Sequence, residues 1–389
     1  MLKRLFYIIV HQLRTKDIGW KSIYEINIPD SIAFMNRIKE PIDDIERSYA
    51  QYRCQCYLMS NMAVFLYNLV SFFLILPYII KCYLTSVKRI SNVDIVYTIS
   101  IKDKSIVPSS LRDEFTKEII TGVYEGFKLN KYDLKFILKL WKRYPFSFFF
   151  VHRMIFKISI YRYFIEKYNP KAIAINSEYS STSSAMTLYC ESQNINHINL
   201  MHGEKLLNIR DSFFRFSRCY VWDDYYISLF KRLRAANGQF IVERPHSLIF
   251  NVNTYKGVIP HCDYKYMLFE NKKLNHIRQI VSQLKNKGFK VKVRPHPSYT
   301  DMQLLKKLFN EDDIEDTNIS IQASVANTEN VISLVSTVLL QAYFSNINVV
   351  IDDVVYKEEY SKLEELGYIL LNKKIKKLSV LLSHDQKNN

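Results

Sequence analysis

Three stretches of this chain combine residue types and spacing that could do chemistry. The first is Val293-Arg294-Pro295-His296-Pro297-Ser298. A short strand-like run leads into a histidine held between two prolines. Each proline fixes its own φ and lacks an N–H, so the imidazole is presented on a stiff loop. Such a histidine titrates near neutral pH and can donate to a phosphate oxygen or protonate a leaving group. Arg294 beside it offers a permanent, forked positive charge suited to phosphate. The second stretch is Ser333-Leu334-Val335-Ser336-Thr337-Val338-Leu339-Leu340-Gln341. An apolar strand ends, two hydroxyl residues follow, and a helix begins. Ser336 or Thr337 is then a natural N-cap, and the free amides of the first helical turn make an anion site. Arg294, His296, Pro297, Ser333, Ser336 and Thr337 are the candidate phosphate contacts.

The third stretch falls into two turns, Asn176-Ser177-Glu178-Tyr179-Ser180-Ser181 and Met201-His202-Gly203-Glu204. Each follows an apolar run that reads as a buried strand. Glu178 stands at a strand end before a serine-rich helix start, where a carboxylate can take a proton from an acceptor hydroxyl. Its plainer reading is a charge at a helix N-terminus. His202 adjoins Gly203, a residue that permits close backbone approach. Asp223, after Trp222, is a further candidate and reads equally well as a helix N-cap. Glu178, His202 and His296 are the candidate catalytic residues.

Other chemistries lack their signatures. No G-x-G-x-x-G or G-x-x-x-x-G-K-[ST] string occurs among only 8 glycines, so phosphate must be held by helix N-termini and side chains. The histidines are dispersed, H-E-x-x-H is absent, and no D-x-D string occurs, so no metal is expected. The spacing of Cys54, Cys56, Cys82, Cys190, Cys219 and Cys262 is irregular, which fits reduced thiols better than a disulfide frame. The net charge of +16 attracts something acidic: a nucleic acid, anionic lipid or a phosphorylated substrate. The basic residues are scattered in twos and threes without a nucleic-acid-binding motif, so no nucleic-acid partner is expected.

These loops need a frame that places them together. With 389 residues the chain is long enough for two domains. From about Asp94 short β-branched runs alternate with helical stretches, the pattern of α/β sheets. Strands are expected at Ile95–Ile99, Ala172–Ile175, His197–Leu200 and Arg218–Val221, with helices at Leu111–Lys128, Leu134–Tyr168, Ser183–Gln193 and Asp223–Ala236. Arg244–Tyr264, with Pro245, Gly257 and Pro260, reads as a linker. A second series follows, with strands at Lys265–Phe269, Lys290–Val293, Val331–Leu334 and Asn348–Ile351. Its helices are expected at Leu274–Lys287, Met302–Phe309 and Thr337–Phe344. Short connections of this kind wind parallel sheets whose ligands sit at the carboxyl ends of the strands. The expected fold class is α/β, two Rossmann-like domains facing a central cleft, divided as 1–243 and 244–389.

Met1–Val10 is not a convincing signal peptide, because His11 and Arg14 interrupt its apolar run. Met62–Ile80 is almost wholly apolar, broken by Asn68 and Ser71, and approaches the ~20 residues of a bilayer span. Asn68 and Pro77 favour a buried or interfacial helix over a span.

The layout resembles the HP-motif glycosyltransferases of bacterial surface polysaccharides: bacterial sialyltransferases, capsule Kdo transferases and, more distantly, teichoic-acid CDP-glycerol transferases. The matching residues are His296-Pro297 after a strand and the Ser336-Thr337 pair before a helix. The Asn176-Ser177-Glu178 and His202-Gly203 turns add to the likeness. The resemblance implies a GT-B fold, with His296 and the Ser336-Thr337 helix start holding the phosphate of a cytidine nucleotide and Glu178 deprotonating the acceptor. It implies an inverting, metal-independent transfer from a CMP-activated sugar, sialic acid or a related acidic sugar, to a lipid-linked oligosaccharide of an O-antigen, capsule or lipooligosaccharide. No cofactor is expected, and the location would be the cytoplasmic side of the inner membrane, in peripheral contact with anionic lipid. The alternatives are a CDP-polyol or UDP-sugar transferase of the same fold, or a non-catalytic scaffold of a polysaccharide assembly complex. One element departs from the sialyltransferases, which carry two acidic residues before a glycine. Tyr124-Glu125-Gly126 is a poor substitute.

Overall fold

The computed structural model describes residues 26–98, 104–121 and 125–383. Met1–Val10, Ile99 and Tyr124 therefore lie outside the described residues. The chain divides into two compact units. One runs to Glu243 apart from Gly203–Leu206, and the other takes those four residues together with the chain from Arg244.

The first unit is built on six parallel strands: β1 (Ile95–Tyr97), β2 (Glu118–Ile120), β3 (Ala172–Ile175), β4 (Asn196–Leu200), β5 (Arg218–Val221) and β6 (Phe240–Val242). Their order is β2-β1-β3-β4-β5-β6, so the winding reverses between β1 and β3. All four residues of β3 are buried, as expected for a parallel strand covered on both faces. Ile95, Tyr97, Ala172, Ala174, Ile198 and Leu200 pack with Val107, Leu111 and Phe115 as one core cluster.

The second unit holds β7 (Cys262–Met267), β8 (Val291–Arg294), β9 (Thr328–Ser333), β10 (Asn348–Ile351) and β11 (Lys376–Lys377). Their order is β11-β10-β9-β7-β8, again all parallel, with the reversal between β7 and β9. Counted from its own first strand, the second sheet runs 2-1-3-4-5 and the first runs the same way with a sixth strand added, 2-1-3-4-5-6. Both are doubly wound Rossmann-like sheets, and the fold class is α/β.

Several expectations need correction. The helix expected over Leu111–Lys128 stops at Glu114, and β2 follows as an edge strand on β1. Here pairing with β1 wins over local propensity for the run Glu118-Ile119-Ile120. The helix expected over Leu134–Tyr168 is two, Lys131–Arg143 and Phe148–Tyr168, broken around Pro145. The first opens with a capping box between Asn130 and Asp133. β6 and the helices Ile28–Asn36 and Asp44–Leu58 had no counterpart in the sequence reading. The stretch read as a linker contains the short helix Val252–Tyr255, and β7 already begins at Cys262. All six cysteines are free thiols.

Met62–Ile80 lies inside one helix, Asn61–Leu84, of 24 residues. Only Tyr67, Ser71, Ile75 and Cys82 along it are buried. They form a narrow stripe against helix Phe148–Tyr168, where Phe149 N–H donates to Asn68 Oδ1 at 3.1 Å. His152 Nδ1 meets Ser71 Oγ at 3.2 Å, and Tyr78 Oη meets Ser159 Oγ at 2.8 Å. The rest of its circumference is not a core face: Phe65, Phe73 and Leu76 are exposed at 62%, 65% and 64%. Of the buried and interfacial alternatives, the buried one does not fit this exposure.

Candidate active site at the strand ends

In the second unit the strongest feature is the loop after β8. Pro295 is buried and Pro297 exposed, and His296 between them is half-buried. The loop is closed on itself: His296 N–H donates to Thr300 Oγ1 at 2.8 Å, and Thr300 N–H returns to His296 O at 3.2 Å. Asp301 then caps helix Met302–Leu308, and its own N–H donates to Asn271 Oδ1 at 2.6 Å. The imidazole is oriented too. Ser298 N–H donates to His296 Nδ1 at 3.1 Å, and the Tyr299 ring stacks on it at 4.5 Å. A nitrogen that accepts carries no proton, so the neutral ring holds its hydrogen on Nε2. Partial burial lowers the His296 pKa, which keeps the ring neutral at cellular pH. The result is a fixed, uncharged N–H donor at a strand end.

Arg294 does not share that role. It is buried, with Nη1 on Glu315 Oε1 at 2.5 Å and Nη2 on Ile319 O at 2.7 Å. Lys265 from β7 pairs with the same carboxylate and donates to Ser324 O at 2.7 Å. Burial alone would raise the Glu315 carboxyl, but the Lys265 charge and hydrogen bonds from Lys265, Ser324 and Arg294 hold it low. This buried cluster is a platform under the His296 loop. Sequence reasoning found one member and gave it a ligand role, since the partner carboxylate is 21 residues away in sequence.

Ser333 is likewise internal: it is fully buried and its hydroxyl donates to Met267 O at 2.9 Å. Ser336 is the N-cap of helix Thr337–Phe344, accepting from Val338 N–H at 3.2 Å, and Thr337 beside it is exposed. β8 and β9 both flank β7, so the His296 loop and the Ser336 helix start stand two strand spacings apart, about 10 Å. In that first turn Val338 N–H is taken by Ser336 Oγ at 3.2 Å and Leu339 N–H by Ser336 O at 3.1 Å.

The first unit treats its candidates differently. Glu178 is fully buried; its Oε2 accepts from Asn199 Nδ2 at 3.2 Å, and its backbone carbonyl accepts from Gln51 Nε2 at 2.9 Å. A carboxylate without solvent contact cannot take a proton from an acceptor in this conformation. The expected base, Glu178, is thus enclosed where an acceptor hydroxyl does not reach it. Asp223 caps helix Asp224–Arg232 through Tyr225 N–H at 3.0 Å. His202, after β4, is exposed and is the first-unit candidate that reaches solvent. Glu125 pairs with Lys167 at 2.8 Å, a structural contact.

Among the described residues, one group of side chains has metal-ligand spacing: His261, Asp263 and Glu329. It lies at the beginnings of β7 and β9, the edge opposite His296.

No family model matches the chain, and no curated protein matches it. Solved structures do align with it. The glycotransferase of kitacinnamycin is 10% identical over 75% of this chain and 91% of that one, with a TM-score of 0.44. The lipopolysaccharide outer core galactosyltransferase WaaB in its apo form is 10% identical over 75% and 94%, with a TM-score of 0.38. The wall teichoic acid polymerase TagF is 8% identical over 83% and 87%, with a TM-score of 0.40. At these values the likenesses assign no activity.

Proposed function

We propose that the chain is a glycosyltransferase acting on a bacterial surface polysaccharide, with a nucleotide-activated sugar held at the carboxyl edge of the second sheet. The observation that carries this reading is the His296 imidazole, neutral, oriented by Ser298 and Tyr299, and offering Nε2–H beside the Ser336-capped helix. In glycosyl transfer the bond from the anomeric carbon to the donor phosphate breaks, and its electron pair stays on the phosphate oxygen. An acceptor hydroxyl forms the new bond from the opposite face and loses its proton, which inverts the centre. A preoriented donor at the oxygen where charge grows stabilises that transition state more than the ground state. Of the first-unit candidates Glu178 is buried and His202 exposed, so the acceptor proton is assigned to His202 in this reading. The donor we favour is a CMP-sugar of the sialic acid type, leaving CMP. In this reading the donor phosphate is met by the His296 imidazole, a role that calls for no metal.

The acceptor is read as lipid-linked, and helix Asn61–Leu84 as its route to the membrane. The exposed face bears Met62, Phe65, Leu69, Phe72, Phe73, Leu76 and Ile80 without a charge, while Lys81, Lys88 and Arg89 follow at its C-terminal end. Its bonds to helix Phe148–Tyr168 hold it along the body of the unit. It therefore suits burial in the interface plane of an anionic leaflet, on the cytoplasmic side of the inner membrane, better than a span.

The test is release of CMP from CMP-sialic acid in the presence of a lipid-linked oligosaccharide acceptor. His296→Ala is expected to slow turnover by roughly 10²–10³-fold, the usual cost of removing one such donor. Turnover unchanged in that variant would contradict the reading.

A further inference from the structure

From Phe150 to Arg162 every residue of helix Phe148–Tyr168 is buried except two, Arg153 and Lys157. They stand at i and i+4, so both side chains leave the same face with Cβ atoms about 5–6 Å apart. Arg153 Nη1 donates to Gln55 Oε1 at 2.9 Å, and its guanidinium lies 5.5 Å from the Phe149 ring. Lys157 has no hydrogen-bond or ion-pair partner among the described residues. The groups that act electrostatically on Arg153 are Tyr52, Cys56 and Tyr179, and the one that acts on Lys157 is Arg153 itself. No carboxylate is among them.

That is unlike several other recessed cations among the described residues. Arg162 is paired with Asp133, Arg215 with Asp44 and Glu191, and Lys265 and Arg294 with Glu315. Two like charges one turn apart repel, and a recessed charge without a counter-ion is costly. Burial, with the Arg153 charge adding to it, brings the Lys157 ammonium down to about 8. The arrangement becomes favourable when an anion enters between the two.

The surroundings say which kind of anion. On one side Gln55 Nε2 donates to Tyr179 O at 2.7 Å, and the Arg210 guanidinium lies 5.4 Å from the Tyr179 ring. That loop is the carboxyl end of β3. On the other side Phe149 and His152, just before Arg153, bind Asn68 and Ser71 of the apolar helix Asn61–Leu84. The recess thus adjoins both an apolar exposed helix and the strand ends of the first sheet. We propose that Arg153 and Lys157 bind the phosphate or diphosphate group of a lipid-anchored acceptor. The lipid chain would lie with the exposed face of Asn61–Leu84, and the glycan would point toward the ends of β3 and β4. The inference rests on the transferase reading for the identity of the acceptor, while the anion site itself stands on two neighbouring cations without a carboxylate partner.

The test uses the full chain and reads binding. Titration calorimetry with inorganic pyrophosphate is compared for the wild type, Arg153→Gln, Lys157→Gln and Lys157→Arg. Phosphatidylcholine vesicles are then used with either a polyprenyl diphosphate or phosphatidylglycerol added. Each Gln variant is expected to lose roughly tenfold or more in affinity for pyrophosphate and for polyprenyl-diphosphate vesicles. Phosphatidylglycerol vesicles should be retained as by the wild type, and the ligand-free variants should be no less stable to heat. Lys157→Arg keeps the charge and should keep most of the binding. Pyrophosphate affinity unchanged in the Gln variants, or lost equally in Lys157→Arg, would overturn the site. A parallel loss of phosphatidylglycerol binding would reassign it to bulk headgroups. Nucleotide binding at His296 is measured separately, so failure of the transferase reading and failure of this site give different results.

Discussion

The two sheets are wound alike, yet they use their carboxyl edges in different ways. In the second unit a histidine after β8 stands half-exposed on a loop closed by Thr300, with the Lys265–Glu315–Arg294 cluster buried beneath it. In the first unit a glutamate after β3 occupies the corresponding kind of position, directly after a buried strand, and is fully enclosed. The difference comes from what covers the edge. Helix Asp44–Leu58 brings Gln51 and Gln55 onto the backbone carbonyls of Glu178 and Tyr179, which seals that turn. Two prolines instead keep the His296 loop from folding back as a helix. Residue type at a strand end is thus half of a site, and the covering element is the other half.

The comparison is broken most forcefully from below. Glu315→Leu removes the one carboxylate shared by two buried cations and is expected to cost about 3–5 kcal/mol in urea unfolding. A cost under about 1 kcal/mol would mean that the platform does not support the loop. The first unit offers a pH test of its own rigidity. His197 on β4 is fully buried between Tyr161 and Thr187, and burial, with the Lys157 and Arg215 charges, lowers it to about 3. Above pH 6.5 it is neutral in both folded and unfolded chains and contributes no slope. As pH falls the unfolded histidine gains a proton that the folded one refuses, so stability drops by about 1.4 kcal/mol per pH unit. Between pH 6.5 and about 5, before carboxylates titrate, His197→Asn should flatten most of that slope; an unchanged slope would contradict the assignment. The smallest effect is expected at the buried glutamate. Glu178→Gln keeps an oxygen for Asn199 and should alter CMP release by no more than a few-fold, whereas His202→Ala should lower it by roughly 10²-fold. The reverse order would restore Glu178 as the base.

Much of this frame was legible in the sequence, for reasons that particular segments make clear. β3, β5, β10 and helix Thr337–Phe344 have the expected bounds because a buried β-branched run or a capped apolar helix leaves little choice. β2 and β6 were missed because three-residue edge strands carry no periodicity, and they exist through pairing with β1 and β5. At the site, the Pro-His-Pro string and the Ser336 cap were readable as local chemistry. The commitments of Arg294 to Glu315 and of Ser333 to Met267 were not, since both depend on partners distant in sequence. The Arg153–Lys157 pair was hidden for the opposite reason. On paper it is an ordinary helical i, i+4 pair, and only the buried residues around it give it meaning.

The central claim is that His296 holds the phosphate of a donor nucleotide, and thermal unfolding of the full chain with CMP, CDP, UDP and GDP tests it most directly. A ligand that binds the folded state alone adds about 2.7 kcal/mol of apparent stability at a hundredfold excess over its dissociation constant. Such a shift is expected with CMP, and its loss is expected in His296→Ala. A response to UDP or CDP alone would change the donor but keep the site. Silence with all four nucleotides, or a CMP shift that survives His296→Ala, would contradict it.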